Sequence, residues 1–123
     1  MVYYFENSPF LEMLKLLKGT ESKVILTTDH GAVLVDNPKK ILGDKGISSN
    51  LRYKAGRSMQ YKSKDVFEID QPAEAFLPKL NISTRYIFAK NNDFFTYPNN
   101  YNHYSNYYRN TLQHGGVSMD EMI

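Results

Sequence analysis

The sequence predicts an α/β domain: a mixed sheet with flanking helices and an insertion rich in β-hairpins. Three observations carry that expectation. An amphipathic helical pattern near the start is followed closely by the nearly all-apolar run "KVILTT", residues 23–28. Helix, short turn and covered strand make half of an α/β unit. Short β-branched and aromatic runs separated by Asn, Asp and Pro then recur, which is how hairpins read in sequence. Finally, 123 residues suffice for one small domain with one modest core.

The elements follow in order. "NSPFLEMLKLLKGTES" is expected to be a helix, with Ser8 as N-cap, Pro9 in the first turn and Gly19 just past the end. Phe10, Leu11, Met13, Leu14 and Leu17 give it an apolar stripe. Residues 23–28 read as a strand covered on both faces. "AVLVDNPKKIL" reads as two short strands joined in a hairpin at Asp36-Asn37-Pro38. Residues 43–65 are polar and basic, with six Lys/Arg against two Asp, and read as a long loop; such loops are usually functional or disordered. "VFEID" is a short strand, and "QPAEAFLPKLNIS" a short helix with a proline-punctuated loop. "TRYIFAKNNDFFTYP" reads as the clearest hairpin, strands 84–90 and 94–97 about an Asn91-Asn92-Asp93 turn. In residues 99–116, Tyr101, Tyr104 and Tyr108 fall on one helical face. "SMDE" has the capping-box pattern, so a helix is expected from Ser118.

Composition narrows the chemistry. There is no cysteine, so disulfides and thiolate metal sites are excluded, and a transition metal would need His and carboxylate. A formal charge of +2 is too small to imply nucleic-acid binding. No run reaches the roughly 20 apolar residues of a membrane span. "MVYYFENSPF" lacks the basic and apolar regions of a secretory signal. A cytoplasmic protein with no membrane partner is the expectation.

Two motifs place His before Gly at the edge of a regular element. In "ILTTDHGAVLV", Asp29-His30-Gly31 ends an apolar run. Asp and His could not share a metal from mid-strand, because neighbours point to opposite faces; at a strand end with glycine they could. The other reading is a polar surface turn. In "QHGG", His114 precedes two glycines and is either a ligand or a plain loop residue. His103 sits among tyrosines without a carboxylate and reads as part of an aromatic surface. Lys45, Arg52, Lys54 and Arg57 in the basic segment offer charges for a phosphate, or form a solvated face. Neither a Gly-x-Ser-x-Gly elbow nor a P-loop is present.

"ILTTDHG" and "QHGG" resemble the Asp-His-Gly and later His motifs of the alkaline phosphatase superfamily. "GDKGISSNLRYKAGR", "LPKLNISTRYIFAKNNDFFTYPNNYN" and "YYRNTLQHGGVSMDEMI" are similar to its PglZ-domain branch. Within that branch they look like the C-terminal effector domain of PorX-type response regulators of Bacteroidota. The resemblance covers about Ser8 to Ile123 and implies a partial alkaline-phosphatase-like fold. It implies two zinc ions, with Asp29 and His30 on the one that holds the nucleophile and His114 on the other. It implies phosphoryl transfer through a Thr or Ser nucleophile, with phosphate esters or short oligonucleotides as substrates. Apart from the resemblance, the basic segment with Arg52, Lys54 and Arg57 and the Tyr patch are the candidates to hold such a substrate.

The family's nucleophile and further ligands precede the Asp-His-Gly motif, but residues 1–28 contain neither Asp nor His. Thr20, Thr27 and Thr28 lie too close to Asp29 to serve. Residues 1–123 are therefore expected to be the C-terminal portion of such a domain: part of a zinc-dependent phosphodiesterase or phosphatase of a two-component regulator, inactive alone. The receiver domain would belong to the complete protein, and a homodimer is open. The alternative is a non-catalytic interaction module using the Tyr patch and basic loop.

Overall fold

The computed structural model describes residues 2–43 and 46–122; Lys45, one of the candidate phosphate-binding cations, lies outside the described residues. Helix α1 (Val2–Glu6) leads into α2 (Pro9–Leu17). The local chemistry of α2 is as its sequence reads. Ser8 Oγ accepts from the Leu11 N–H at 3.3 Å, Pro9 fills the first turn, and Gly19 follows at φ +93°, a backbone angle that suits glycine.

Among the described residues nine short strands follow: β1 (Val33–Val35), β2 (Asn37–Lys40), β3 (Leu42–Gly43), β4 (Tyr53–Gly56), β5 (Met59–Gln60), β6 (Val66–Ile69), β7 (Arg85–Ala89), β8 (Asp93–Thr96) and β9 (Thr111–Gln113). Helix α3 (Tyr101–Tyr108) lies between the last two. Single 3-10 turns occupy Ser63–Asp65 and Pro72–Ala75. The strands make a three-stranded antiparallel sheet, β4-β7-β6, and three two-stranded pairs: β1-β9 and β3-β5 antiparallel, β2-β8 parallel. The result is a mixed α/β architecture, as the sequence predicts.

Several local expectations are corrected. Residues 23–28 join no strand ladder, and Ile25 is 89% exposed. The apolar pattern signals a need for cover, and among the described residues nothing supplies it. The two proposed hairpins have their strands but not their pairing. β1 pairs with β9 and β2 with β8, while β7 pairs with β4 and β6. Turn chemistry marks where strands end, but here long-range partners decide what each strand pairs with. The 43–65 segment is not a loop throughout: it carries β4, β5 and a 3-10 turn. The SMDE stretch makes one turn, not a helix.

Among the described residues the core is three clusters. Ile41, Val66, Ile87, Ala89 and Phe95 form one; Val33, Val35 and Phe94 form a second, with Leu51 and Tyr108 against it. Ala55, Tyr86 and Phe88 form the third. Leu51 and Arg52 bridge between sheets, their carbonyls accepting from the Phe95 and Ala89 N–H groups at 2.8 Å each.

Candidate histidine site

The β1-β9 ladder builds the site. Its register pairs Val33 with Gln113, so the chain entering β1 and the chain leaving β9 emerge at the same end. His30 lies just before β1 and His114 just after β9. Their rings stack with centroids 3.8 Å apart and planes 13° apart. His30 Nδ1 is 2.8 Å from the Gly31 carbonyl oxygen. A carbonyl can only accept, so Nδ1 carries the proton and Nε2 presents its lone pair when the ring is neutral. Asp29 Oδ1 lies 3.6 Å from that Nε2, and the Asp29 side chain is exposed.

Both glycine motifs serve the turn formed by residues 116–121. A Cβ on Gly31 would run into the Asp120 backbone, its carbonyl carbon only 2.8 Å away. Gly31 is therefore present for close approach, not for an unusual backbone angle. Gly115 does adopt φ +98°, which side chains on L-residues avoid, and this redirects the chain out of β9.

What clamps that turn is an ion pair. Arg52 and Glu121 have 0% side-chain exposure, with Nε–Oε1 at 2.7 Å and Nη2–Oε2 at 2.8 Å. Arg52 Nη1 also donates to the Asp93 carbonyl. Glu121 further accepts from the Gly116 N–H at 2.9 Å and the Ser118 hydroxyl at 2.6 Å. Burial alone would raise the Glu121 pKa. The hydrogen bonds from Arg52, Ser118 and Gly116, with the Arg52 charge, outweigh it and lower the carboxyl to about 2. Asn50 completes the frame. Its Oδ1 accepts from the Arg52 N–H at 2.7 Å and its Nδ2 donates to the His114 carbonyl at 3.3 Å.

The predicted site residues therefore separate. His30 and His114 come together, with Asp29 beside His30. Arg52 is neither a phosphate-binding loop cation nor a solvated one, because its guanidinium is buried and fully engaged by Glu121 and Asp93. Lys54 is buried too, donating to the Ser48 carbonyl at 2.9 Å. Arg57 alone of the three is exposed. Sequence reasoning missed Asn50 and Glu121. The Ser118-x-x-Glu121 pattern was the available signal, but it predicts a cap, and the carboxylate serves the distant Arg52 as well.

Among the described residues, no three or more His, Cys, Asp or Glu side chains gather closely enough to hold a metal ion. No described helix is long and apolar enough to cross a membrane. A search of curated proteins finds no match. The sequence model for the BREX system PglZ alkaline phosphatase-like domain matches residues 7–123. With nearly its whole length matched, and with His30 and His114 stacked at the end of the β1-β9 ladder, the chain belongs to the PglZ alkaline phosphatase-like family.

Proposed function

We propose that this chain contributes Asp29, His30 and His114 to a zinc-dependent phosphoester hydrolase site. The family carries a phosphoesterase-type fold; the observation that favours a metal site in this chain is the stacked pair of His30 and His114. The donor chemistry fits a metal. His30 Nε2 and Asp29 Oδ1 are both lone-pair atoms, and their 3.6 Å separation is too long for a hydrogen bond. It is close to the roughly 3.4 Å that two ligands of one tetrahedral zinc keep at bond lengths of about 2.1 Å. The Gly31 carbonyl fixes the His30 tautomer, as outer-shell partners of metal-bound histidines do. Asp29 and His30 would hold one ion and His114 a second, with the remaining ligands and the Thr or Ser nucleophile coming from sequence beyond this chain.

Bound zinc would supply Lewis-acid stabilisation of the charge that develops on phosphate oxygens. This chain's residues would hold the ions and fix their ligands: Gly31 orients His30, while Asn50 and Glu121 hold the segment that carries His114. Phosphate mono- or diesters are the substrate class, short oligonucleotides among them, within a cytoplasmic two-component regulator. The interaction-module reading loses two of its cations, since Arg52 and Lys54 are buried, while Arg57, Lys62 and Lys64 stay exposed.

Elemental analysis of the dialysed chain tests the reading, with His30→Ala and His114→Ala beside it. Retained zinc that falls in each variant supports it. Retained zinc whose amount is unchanged by both substitutions would overturn the assignment of these residues; if the chain alone holds none, the same substitutions are read in the complete enzyme, where full activity of His114→Ala would overturn it.

A further inference from the structure

A half-open cleft of about 250 Å³ lies between α3 and β8, lined by neither His30 nor His114, with Leu51, Lys54, Thr96, Tyr104 and Tyr108 in its wall. The lining is mostly apolar, yet two polar groups in it are poorly matched. Lys54 is 2% exposed. Its ammonium donates to the Ser48 carbonyl and sits 4.9 Å from the Tyr97 ring centroid. Among the described residues no carboxylate lies within ion-pair distance of it. The Thr96 hydroxyl is buried and has no hydrogen-bond partner among the described residues. Buried hydroxyls are nearly always paired, and buried charges are normally neutralised. An unmatched cation and an unmatched hydroxyl in one cleft wall are complementary to an anion with two acceptor oxygens.

The cleft also limits the rest of the ligand. One ammonium balances one negative charge, and a dianion would leave an uncompensated charge against apolar walls. Tyr104 and Tyr108 stack at 6.2 Å with planes 15° apart, a surface suited to another flat ring. The volume is below the roughly 300 Å³ at which drug-sized pockets begin, so a single ring fits. We propose that this cleft binds a small aromatic monocarboxylate, its carboxylate on Lys54 and Thr96 and its ring against Tyr104 and Tyr108. Burial pulls the Lys54 amine down to about 8 when the cleft holds no anion; a bound carboxylate would restore its preference for the charged form.

Calorimetric titration of the full chain with benzoate at neutral pH tests this. Saturable binding at one site is expected. Lys54→Met should weaken it about tenfold or more, the value of one charge-assisted contact. Thr96→Val should weaken it several-fold while thermal unfolding shows the fold retained. Cyclohexanecarboxylate should bind less tightly than benzoate. No saturable benzoate binding at up to about 1 mM, or equal binding in wild type and Thr96→Val, would overturn the proposal. Inorganic phosphate binding as tightly as benzoate would overturn the monocarboxylate assignment. Should Lys54→Met fail to fold, Thr96→Val and the phosphate comparison decide. The cleft shares no residue with the histidine pair, so either reading can fail alone.

Discussion

Arg52 and Lys54 stand two residues apart, both buried, and the fold deals with the two charges differently. Arg52 meets a bidentate carboxylate from Glu121 and a carbonyl from Asp93. Lys54 meets one carbonyl and one aromatic ring. The effects on pKa differ accordingly. The Glu121 carboxyl is lowered to about 2, its hydrogen bonds overcoming burial, whereas burial lowers the Lys54 amine to about 8. One charge ties three segments of chain together; the other is a cost carried by the cleft. Planar, forked guanidinium suits the first role and a compact ammonium the second.

The largest effect should come from breaking the matched pair. Glu121→Ala leaves Arg52 buried without its counterion and should cost about 3–5 kcal/mol in urea unfolding. It also frees the turn that packs over Gly31, so NMR contacts between the His30 and His114 rings should weaken. A loss below about 1 kcal/mol would mean the pair behaves as an exposed one. In the wild type, the Glu121 contribution is fully present above its ordinary value of 4.5 and is lost as pH falls toward about 2. An acid titration of stability that is flat across that window would contradict it.

Lys54→Met should do the opposite, in a pH-dependent way. In the folded chain the amine loses its proton near 8, while unfolded it keeps the proton to about 10.5. Between those values the unfolded chain binds more protons, so wild-type stability should rise with pH across that window, by on the order of 3 kcal/mol. Below pH 8 the charged amine is a net cost, which methionine of similar length removes. Lys54→Met should therefore match or exceed wild type at pH 7 and lack the alkaline rise. A marked loss at pH 7 would show that the Ser48 and Tyr97 contacts outweigh desolvation.

The same two cations explain what could be read from sequence. Helix α2 was legible entire, because Ser8, Pro9 and Gly19 act through neighbours a turn away. Strands β6, β7 and β8 were legible from β-branched and aromatic runs. β4 was not: its "YKAG", preceded by a buried Arg52, breaks the apolar pattern by which covered strands are recognised. Pairing was illegible wherever it was long-range, as with β1 on β9. His30 and His114 stood out by their glycines, but the reason for those glycines lies in a turn almost 90 residues from Gly31. Glu121 announced a local cap and gave no hint of Arg52, since nothing within four residues of either names its partner.

The smallest effect expected is at Thr96, and it sharpens the contrast because no charge is involved. Its hydroxyl shares the cleft with Lys54 and lacks a partner among the described residues. Thr96→Val replaces that hydroxyl with a methyl of similar size and keeps the β-branch that suits β8. Removing an unpaired buried hydroxyl should stabilise by about 1 kcal/mol, read as a small rise in Tm. A loss of that size would show that the hydroxyl is satisfied in solution and that Thr96 belongs to the structural side of the comparison, with Arg52. A rise in Tm accompanied by weaker benzoate binding would place it with Lys54, as a polar group whose cost in the free fold is offset only when the cleft is filled.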